Sequence, residues 1–301
     1  MRLNRLFVGF LTVASLFACH KDNPNQQQVE IRDKGEQAVA DDEALRSYLG
    51  SHFYNYEEFE NPQEGFDYSI KIDTIAGDNA DKTSILDSDN LVVQTITEDD
   101  VDYSLYILKA REGAGDHPKF SDSTLVSYEG NLLNDALFDS SGSPVWFDNT
   151  RVIKGFGRGI TEFGAASNYS VNDDNTIKWT NDYGIGALFI PSGLGYFASG
   201  QPNIPAYSPL IFKVNLYRVN EADHDNDGIP SWMEDLDEDK NLLNDDSDGD
   251  NVPNFADADD DGDGTPTRKE ITINEDGSIT FPDSNNNGIP DYLDPDTFSN
   301  D

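Results

Sequence analysis

A chain of 301 residues is long enough for about two domains, yet only 36% of it is hydrophobic, so a packed core must be concentrated in part of its length. Its 58 Asp and Glu against 20 Lys and Arg give a formal net charge of -38, which argues against nucleic acid as a partner because phosphate binding needs a basic footprint. More than half of that excess lies in residues 221–301, which hold 26 acidic side chains and 3 basic ones and repel one another unless cations neutralise them.

Met1 to Cys19 reads as an export signal. Arg2 and Arg5 supply the positive start, and Leu6 to Phe17 form an apolar run too short for a permanent membrane span. The run ends Leu16-Phe17-Ala18-Cys19, which resembles the lipobox of bacterial lipoproteins, with Phe17 bulkier than the small residue usual there. The resemblance implies that Cys19 becomes the N-terminal, lipid-bearing residue, that the protein meets the membrane through that lipid, and that it sits at the cell envelope. Cys19 is the only Cys, so no intrachain disulfide is possible.

Residues 20–36, with Asn23-Pro24 and Gln26 to Gln28, read as a polar tether. Residues 37–100 read as a helix and strand extension. Asp41 is placed to cap a short amphipathic helix carrying Ala44, Leu45, Tyr48 and Leu49. Tyr68 to Ile72 and Leu91 to Val93 then suggest strands between Asp/Gly/Asn turns. This extension is expected either as a small subdomain or as strands added to the next domain. Residues 101–220 are the best candidate for the packed core. Val101, Tyr103, Leu105 and Ile107 alternate with polar residues, as in a half-buried strand, and apolar runs recur at Leu125, Ala187 and Leu210. One helix-like stretch lies around Gly155 to Phe163.

Within this core, Val126-Ser127-Tyr128-Glu129-Gly130, Leu137-Phe138-Asp139-Ser140-Ser141, Val152-Ile153-Lys154-Gly155-Phe156, Leu188-Phe189-Ile190-Pro191, Gly195-Tyr196, Ile204-Pro205 and Leu210-Ile211-Phe212-Lys213-Val214 occur in order. Over roughly residues 100–220 the chain resembles an FKBP-type peptidyl-prolyl cis-trans isomerase domain. The resemblance implies an α+β fold, an antiparallel sheet of about five strands wrapped around one short helix. It also implies a pocket lined by Tyr128, Phe138, Asp139, Val152, Ile153, Phe156, Tyr196, Ile204 and Phe212. In that pattern Phe156 is the floor, Tyr128 and Phe138 are walls, Asp139 and Tyr196 orient substrate carbonyls, and the Ile153 N–H anchors the ligand. No cofactor takes part in such catalysis. This chain departs from the pattern at Phe156, where Trp is usual, at Phe197, where Gly is usual, and in a polar insertion at 165–186 containing Tyr169, Trp179 and Tyr183. The insertion is expected to overhang or extend the cleft.

In the acidic segment, residues 221–301, one twelve-residue frame recurs. Asp223, Asp225 and Asp227 precede Gly228 and a closing Glu234; Asp259, Asp261 and Asp263 precede Gly264 and Glu270. Asp283, Asn285 and Asn287 precede Gly288 and Asp294; Asp246, Asp248 and Asp250 precede Asn251 and Asp257. Asp235, Asp237 and Asp239 precede Lys240, with Asp246 expected to close that loop and open the next. Alternate residues of a tight turn aim oxygens inward, the glycine permits the bend, and the twelfth residue closes the shell, so the spacing predicts Ca2+. EF-hands are excluded because the loops at 223, 235 and 246 abut without room for helices, and four of the five carry Pro at position eight. The array instead resembles thrombospondin type 3 repeats, which implies an irregular calcium-stabilised segment with constitutive ions of weak affinity, about 10⁻⁴–10⁻³ M. Trp232, Phe255 and Tyr292 are expected as packing anchors, and residues 271–281 as an inserted β-hairpin.

The expected function is prolyl isomerisation, or chaperoning, of exported Pro-containing polypeptides. The alternative is a surface module that binds Pro-containing segments without turnover. A hydrolase finds little support, since His20, His52, His117 and His224 are scattered and form no His-x-x-x-His pair.

Overall fold

The computed structural model describes residues 31–297, and the export signal, Cys19 and most of the tether lie outside them. Helix α1 spans Lys34–Ser51 and starts on Asp33, whose Oδ1 accepts the Glu36 N–H at 2.9 Å, as a helix N-cap does. The helix thus begins eight residues before the predicted start, with its cap at Asp33 rather than Asp41, inside the expected tether. Asp41 is not its cap but a buried mid-helix side chain. Its buried face carries Leu45, Tyr48 and Leu49.

Strand β1 (His52–Tyr54), helix α2 (Tyr56–Glu60) and strand β2 (Ile72–Thr74) come next, with β1 and β2 paired antiparallel. The strand expected over Tyr68 to Ile72 forms only at its last residue; Tyr68 has a φ of 56°, which an extended run does not allow. Strand β3 (Leu91–Glu98) pairs with β4 (Val101–Arg111) from Leu91 opposite Leu108 to Glu98 opposite Val101. The expected boundary at 100/101 therefore falls in a hairpin turn, and β3 is part of the main sheet.

After β5 (Ser123–Leu132) and β6 (Leu137–Asp148) comes the one-and-a-half-turn helix α3 (Lys154–Gly159). A small hairpin, β7 (Tyr169–Val171) with β8 (Ile177–Trp179), precedes β9 (Gly184–Ile190) and β10 (Leu210–Asn220). Six strands form one antiparallel sheet in the order β3-β4-β9-β10-β5-β6. The fold is α+β, with one strand more than expected. Among the described residues no helix is long and apolar enough to cross a membrane.

Both faces of the sheet are covered. On one, Leu188, Ile190, Phe212 and Val214 pack with Phe156 and Ile160 of the α3 region. On the other, Tyr106, Ala187, Phe189 and Ile211 pack with Leu45, Tyr48 and Leu49 of α1 and with Tyr54, Ile70 and Ile85. The helix α3, Lys-Gly-Phe-Gly-Arg-Gly, is a poor helix former by composition. Its glycines are there for proximity: a Cβ on Gly155 would stand 2.3 Å from Ile190 Cγ2, and one on Gly159 2.7 Å from Leu188 Cδ2. The insertion at 165–186 does not overhang the cleft that α3 helps to form. Trp179 and Tyr183 lie 5.9 and 4.7 Å from Tyr217, on the side of β10 opposite Phe212.

Leu188 is fully buried between α3 and the sheet. Leu188→Ala is expected to cost about 2–5 kcal/mol, read from urea unfolding at fixed calcium. A loss under about 1 kcal/mol would contradict this packing.

Candidate active site and candidate metal centres

Strands β5, β6 and β10, helix α3 and the loop from Pro191 to Leu210 enclose a cleft of about 500 Å³. All nine residues expected there line it: Tyr128, Phe138, Asp139, Val152, Ile153, Phe156, Tyr196, Ile204 and Phe212. Phe156 meets Phe212 edge-on at 5.4 Å, Phe138 meets Phe212 edge-on at 5.4 Å, and Tyr128 lies 6.2 Å from Phe212. Two aromatic contacts were not foreseen. Phe147, near the end of β6, closes on Phe156 at 5.5 Å and on Tyr128 at 5.2 Å. Its alternation with Val145 along β6 was the available signal. Arg151, Gln201 and Pro202 also line the rim, and no spacing rule marks them.

The polar groups of the cleft are few. The Tyr128 hydroxyl donates to Asp139 Oδ2 at 2.6 Å. Burial, then the Asp139 carboxylate, pushes that hydroxyl up to about 12, so it remains a neutral donor near neutral pH. Ile153 stands just before the first turn of α3, where its carbonyl accepts from the Phe156 N–H at 2.9 Å. Among the described residues its own N–H has no protein acceptor. Phe197 adopts a φ of 45°, so the loop beyond Tyr196 follows a backbone path ordinarily left to glycine. The cleft is therefore an aromatic box with a free Ile153 N–H, the Tyr128–Asp139 pair and Tyr196 at its walls and Arg151 and Gln201 at its rim.

The acidic segment forms five loops on one plan. In each, the sixth residue has positive φ: Gly228 at 102°, Lys240 at 64°, Asn251 at 76°, Gly264 at 92° and Gly288 at 92°. In each, that residue's N–H donates to the first Asp, for example Gly228 to Asp223 at 3.2 Å, Lys240 to Asp235 at 2.9 Å and Asn251 to Asp246 at 3.0 Å. Pro230, Pro253, Pro266 and Pro290 each lead into a one-turn 3₁₀ helix that ends on or just before a closing carboxylate. The side chain at position nine also accepts the N–H of position two, as Asn254 does from Ser247 at 2.9 Å and Thr267 from Asp260 at 3.1 Å.

The loop at 235 differs. Asp245, nine residues from Leu236 rather than seven, accepts the Leu236 N–H at 3.0 Å, so this loop is two residues longer. Asp246 accordingly groups with Asp248 and Asp250 and not with Asp235, Asp237 and Asp239. In the loop at 283, the Asn285 and Asn287 amides donate to Asp294 at 2.8 and 2.7 Å. The expected hairpin forms as β11 (Thr272–Ile273) and β12 (Ile279–Thr280), and Tyr292 packs with Ile229, Ile271 and Phe281.

The tightest centre gathers Asp225, Asp227, Glu234 and Asp260. Asp260 was not expected; it reaches across from a repeat three loops further on. Glu234 and Asp260 are each 1% exposed, and all four of their carboxylate oxygens lack a hydrogen-bond partner. Single orphaned oxygens of Asp223, Asp225, Asp227, Asp259, Asp261, Asp263 and Glu270 are buried beside them. Buried carboxylates without donors are what a hard divalent cation would satisfy. A second grouping, Asp259 with Asp261 and Asp263, has the Glu270 carboxylate close by.

A family model described as FKBP-type peptidyl-prolyl cis-trans isomerase matches residues 115–217, which contain all nine pocket residues, and one described as BamM C-terminal matches residues 224–283. FkpA of Escherichia coli K12, an FKBP-type peptidyl-prolyl cis-trans isomerase, is 34% identical over 113 residues, 36% of each chain. The peptidyl-prolyl cis-trans isomerase Mip of Coxiella burnetii is 33% identical over 113 residues, 36% of this chain and 42% of its own. FK506-binding protein 1A of Aspergillus fumigatus is 32% identical over 118 residues, which make up 38% of this chain and 91% of that protein. The chain belongs to the FKBP-type peptidyl-prolyl cis-trans isomerase family. It spans little more than a third of the length of FkpA.

The FKBP pocket is braced from outside the matched region. Asp41, on α1, accepts both the Ser192 N–H at 2.7 Å and the Ser192 hydroxyl at 2.6 Å, and it is 2% exposed. Arg32 stacks over Tyr207 at 4.4 Å, and Tyr207 meets Phe197 edge-on at 5.2 Å. The loop that carries Tyr196 and Ile204 is thus held by the N-terminal extension. Asp41→Ala leaves a buried N–H unpaired, at a cost of about 1–3 kcal/mol. Amide exchange is expected to quicken in 192–207 while the β5 and β10 amides keep their protection; equal quickening throughout would contradict a local brace.

Proposed function

We propose that the cleft at Tyr128 catalyses cis-trans isomerisation of X–Pro bonds in extended polypeptides. The observation that carries this reading is the closed aromatic box of Phe138, Phe147, Phe156 and Phe212 beside a free Ile153 N–H. Rotation about an amide faces a barrier of about 18–20 kcal/mol because it breaks resonance. The twisted bond has lost the charge separation of the planar amide, so an apolar cleft that excludes water favours it over the ground state. The Ile153 N–H and the Tyr196 hydroxyl hold substrate carbonyls beside the rotating bond, while the Tyr128 hydroxyl, donated to Asp139, fixes that carboxylate at the wall of the cleft. No nucleophile, base or metal enters this step. A pocket that binds Pro-containing segments without turnover is the competing reading, and a protease-coupled assay separates them. Tyr128→Ala is expected to lower kcat/KM about tenfold or more, an amount matching about 1.4 kcal/mol of lost transition-state binding. A parent rate equal to background would end the isomerase reading.

The acidic array, in this proposal, is a calcium-stiffened appendage of the thrombospondin type 3 kind. Asp223, Asp225, Asp227, Glu234 and Asp260 would hold one cation, and Asp259, Asp261, Asp263 and Glu270 another, each ion supplying the counter-charge that their buried oxygens lack. Cys19 and the apolar stretch before it support attachment at the cell envelope through a lipid, with exported proteins as clients.

Burial, then mutual repulsion, raises Glu234 to about 10, Asp260 to about 9 and Glu270 to about 8. A carboxyl whose folded pKa exceeds its unfolded value favours the fold while protonated. Metal-free protein therefore loses stability as pH rises above the unfolded values near 4 towards 10. Calorimetry in chelator is expected to give a Tm that falls between pH 5 and pH 8, with added calcium restoring more at pH 8. Glu234→Gln is expected to raise the metal-free Tm at pH 8 and shrink the gain from calcium. A chelated Tm that rises with pH across this range would overturn the assignment.

A further inference from the structure

Beside the prolyl cleft lies a second one of about 560 Å³, formed where the start of α3 faces the loops at 240–243 and 255–256. The two clefts share Arg151 and Val152, so one extended chain can pass from the first into the second. The second cleft is unlike the rest of this surface. Arg151, Lys154, Arg158 and Lys240 line it and no Asp or Glu does, in a chain whose acidic side chains outnumber its basic ones 58 to 20.

Two of those cations have carboxylate partners just outside the cleft, Arg151 with Asp148 at 3.2 Å and Lys154 with Glu98 at 2.5 Å. Arg158 and Lys240 have none within ion-pair distance among the described residues. Arg158 is 8% exposed; its Nη2 donates to the carbonyls of Asp239 and Lys240 at 3.2 and 2.6 Å, and its guanidinium lies 5.5 Å from the Phe120 ring. Glu98, Asp235 and Asp239 act on it only from beyond ion-pair distance. Cations in the 235 loop would take up the charge of Asp235 and Asp239 and leave Arg158 with still less counter-charge. A buried guanidinium without a carboxylate is costly unless an anion completes it. Apolar surface stands next to it: Leu243 is 73% exposed and Phe255 lines the opposite wall.

We propose that this cleft is a second subsite for the client polypeptide, taking an apolar side chain followed by a carboxylate in the stretch that flanks the prolyl bond. The proposal rests on the isomerase reading of the neighbouring pocket for the identity of the client. It makes the enzyme selective among prolyl bonds for those beside an apolar-acidic pair. The apolar residue packs on Phe120, Leu243 and Phe255, and its acidic neighbour accepts charge-assisted hydrogen bonds from Arg158 and Lys240.

Fluorescence anisotropy on the full chain in calcium chloride tests this with labelled peptides of one length. Each contains Leu-Pro and carries either Phe-Glu or Phe-Lys at two, three or four residues on one side or the other. At the best spacing the Phe-Glu peptide is expected to bind about tenfold more tightly than the Phe-Lys peptide, the scale of one charge-assisted hydrogen bond. Lys240→Ser combined with Leu243→Ser, at exposed positions, is expected to cut that preference to about twofold or less, with an unchanged Tm as the folding control. Equal affinities at every spacing, or a preference that survives the double substitution, overturn the proposal. So does a dimer in sedimentation that the same substitution abolishes, since the cleft would then hold a second copy's acidic array. A parent that keeps the Phe-Glu preference yet turns over no prolyl peptide retains this subsite and removes the catalytic role of the neighbouring pocket.

Discussion

The burial of β9 on both faces is the constraint on which the rest of this molecule depends. All seven residues from Gly184 to Ile190 are shielded, Leu188 and Ile190 towards α3 and Ala187 and Phe189 towards α1. A central strand with no solvent face needs a layer on each side. The glycines of α3 let one layer come close enough to seat Phe156 beneath the pocket. The other layer is α1 with the strands after it. Remove either and a strand made for a dry interior meets water, so the pocket floor and the N-terminal extension stabilise the same strand from opposite sides.

Much of this was legible in order along the chain, though not in depth. The alternation of Val101, Tyr103, Leu105 and Ile107 marked a strand, and the order of seven short motifs carried the family resemblance that implied the nine pocket residues. The two-sided burial of β9 was also written in the sequence, as an unbroken apolar run from Ala187 to Ile190, but a short run of that kind fits several contexts. Asp41 misled for a physical reason. An acidic residue before an apolar stretch reads as a helix cap, whereas its partner is Ser192, 151 positions away. Only the tertiary fold brings that N–H to it. Phe147 was missed because its alternation with Val145 shows only that it shares a face of β6, whereas its contacts with Tyr128 and Phe156 depend on how that strand meets α3.

The acidic array was read from spacing alone, and its five-fold repetition of one backbone plan is a consequence of that spacing. Here the sequence was most informative where apolar patterning was least so. The turn at the sixth position requires positive φ, which glycine meets readily and Asn adopts more easily than most residues; Lys240 occupies it as well, held by its N–H bond to Asp235. Spacing could not reveal the third dimension. Asp260 joins Asp225, Asp227 and Glu234 because the chain doubles back, and Asp246 does not close the loop at 235 because that loop is two residues longer, with Asp245 accepting the Leu236 N–H. Around Glu234 buried carboxyl groups share the interior with the small hydrocarbon cluster of Ile229, Ile271 and Tyr292.

The bond between Asp41 and Ser192 bears on how such a protein is inherited. The matched family segment, residues 115–217, contains every side chain of the prolyl cleft yet not the carboxylate that steadies the loop over it. A recombination event that moved this segment alone into another gene would transfer the chemistry without its support. To keep that support, such a transfer would have to carry the α1 helix together with the sheet. The unit that holds this pocket in shape is larger than the region by which its kinship is recognised.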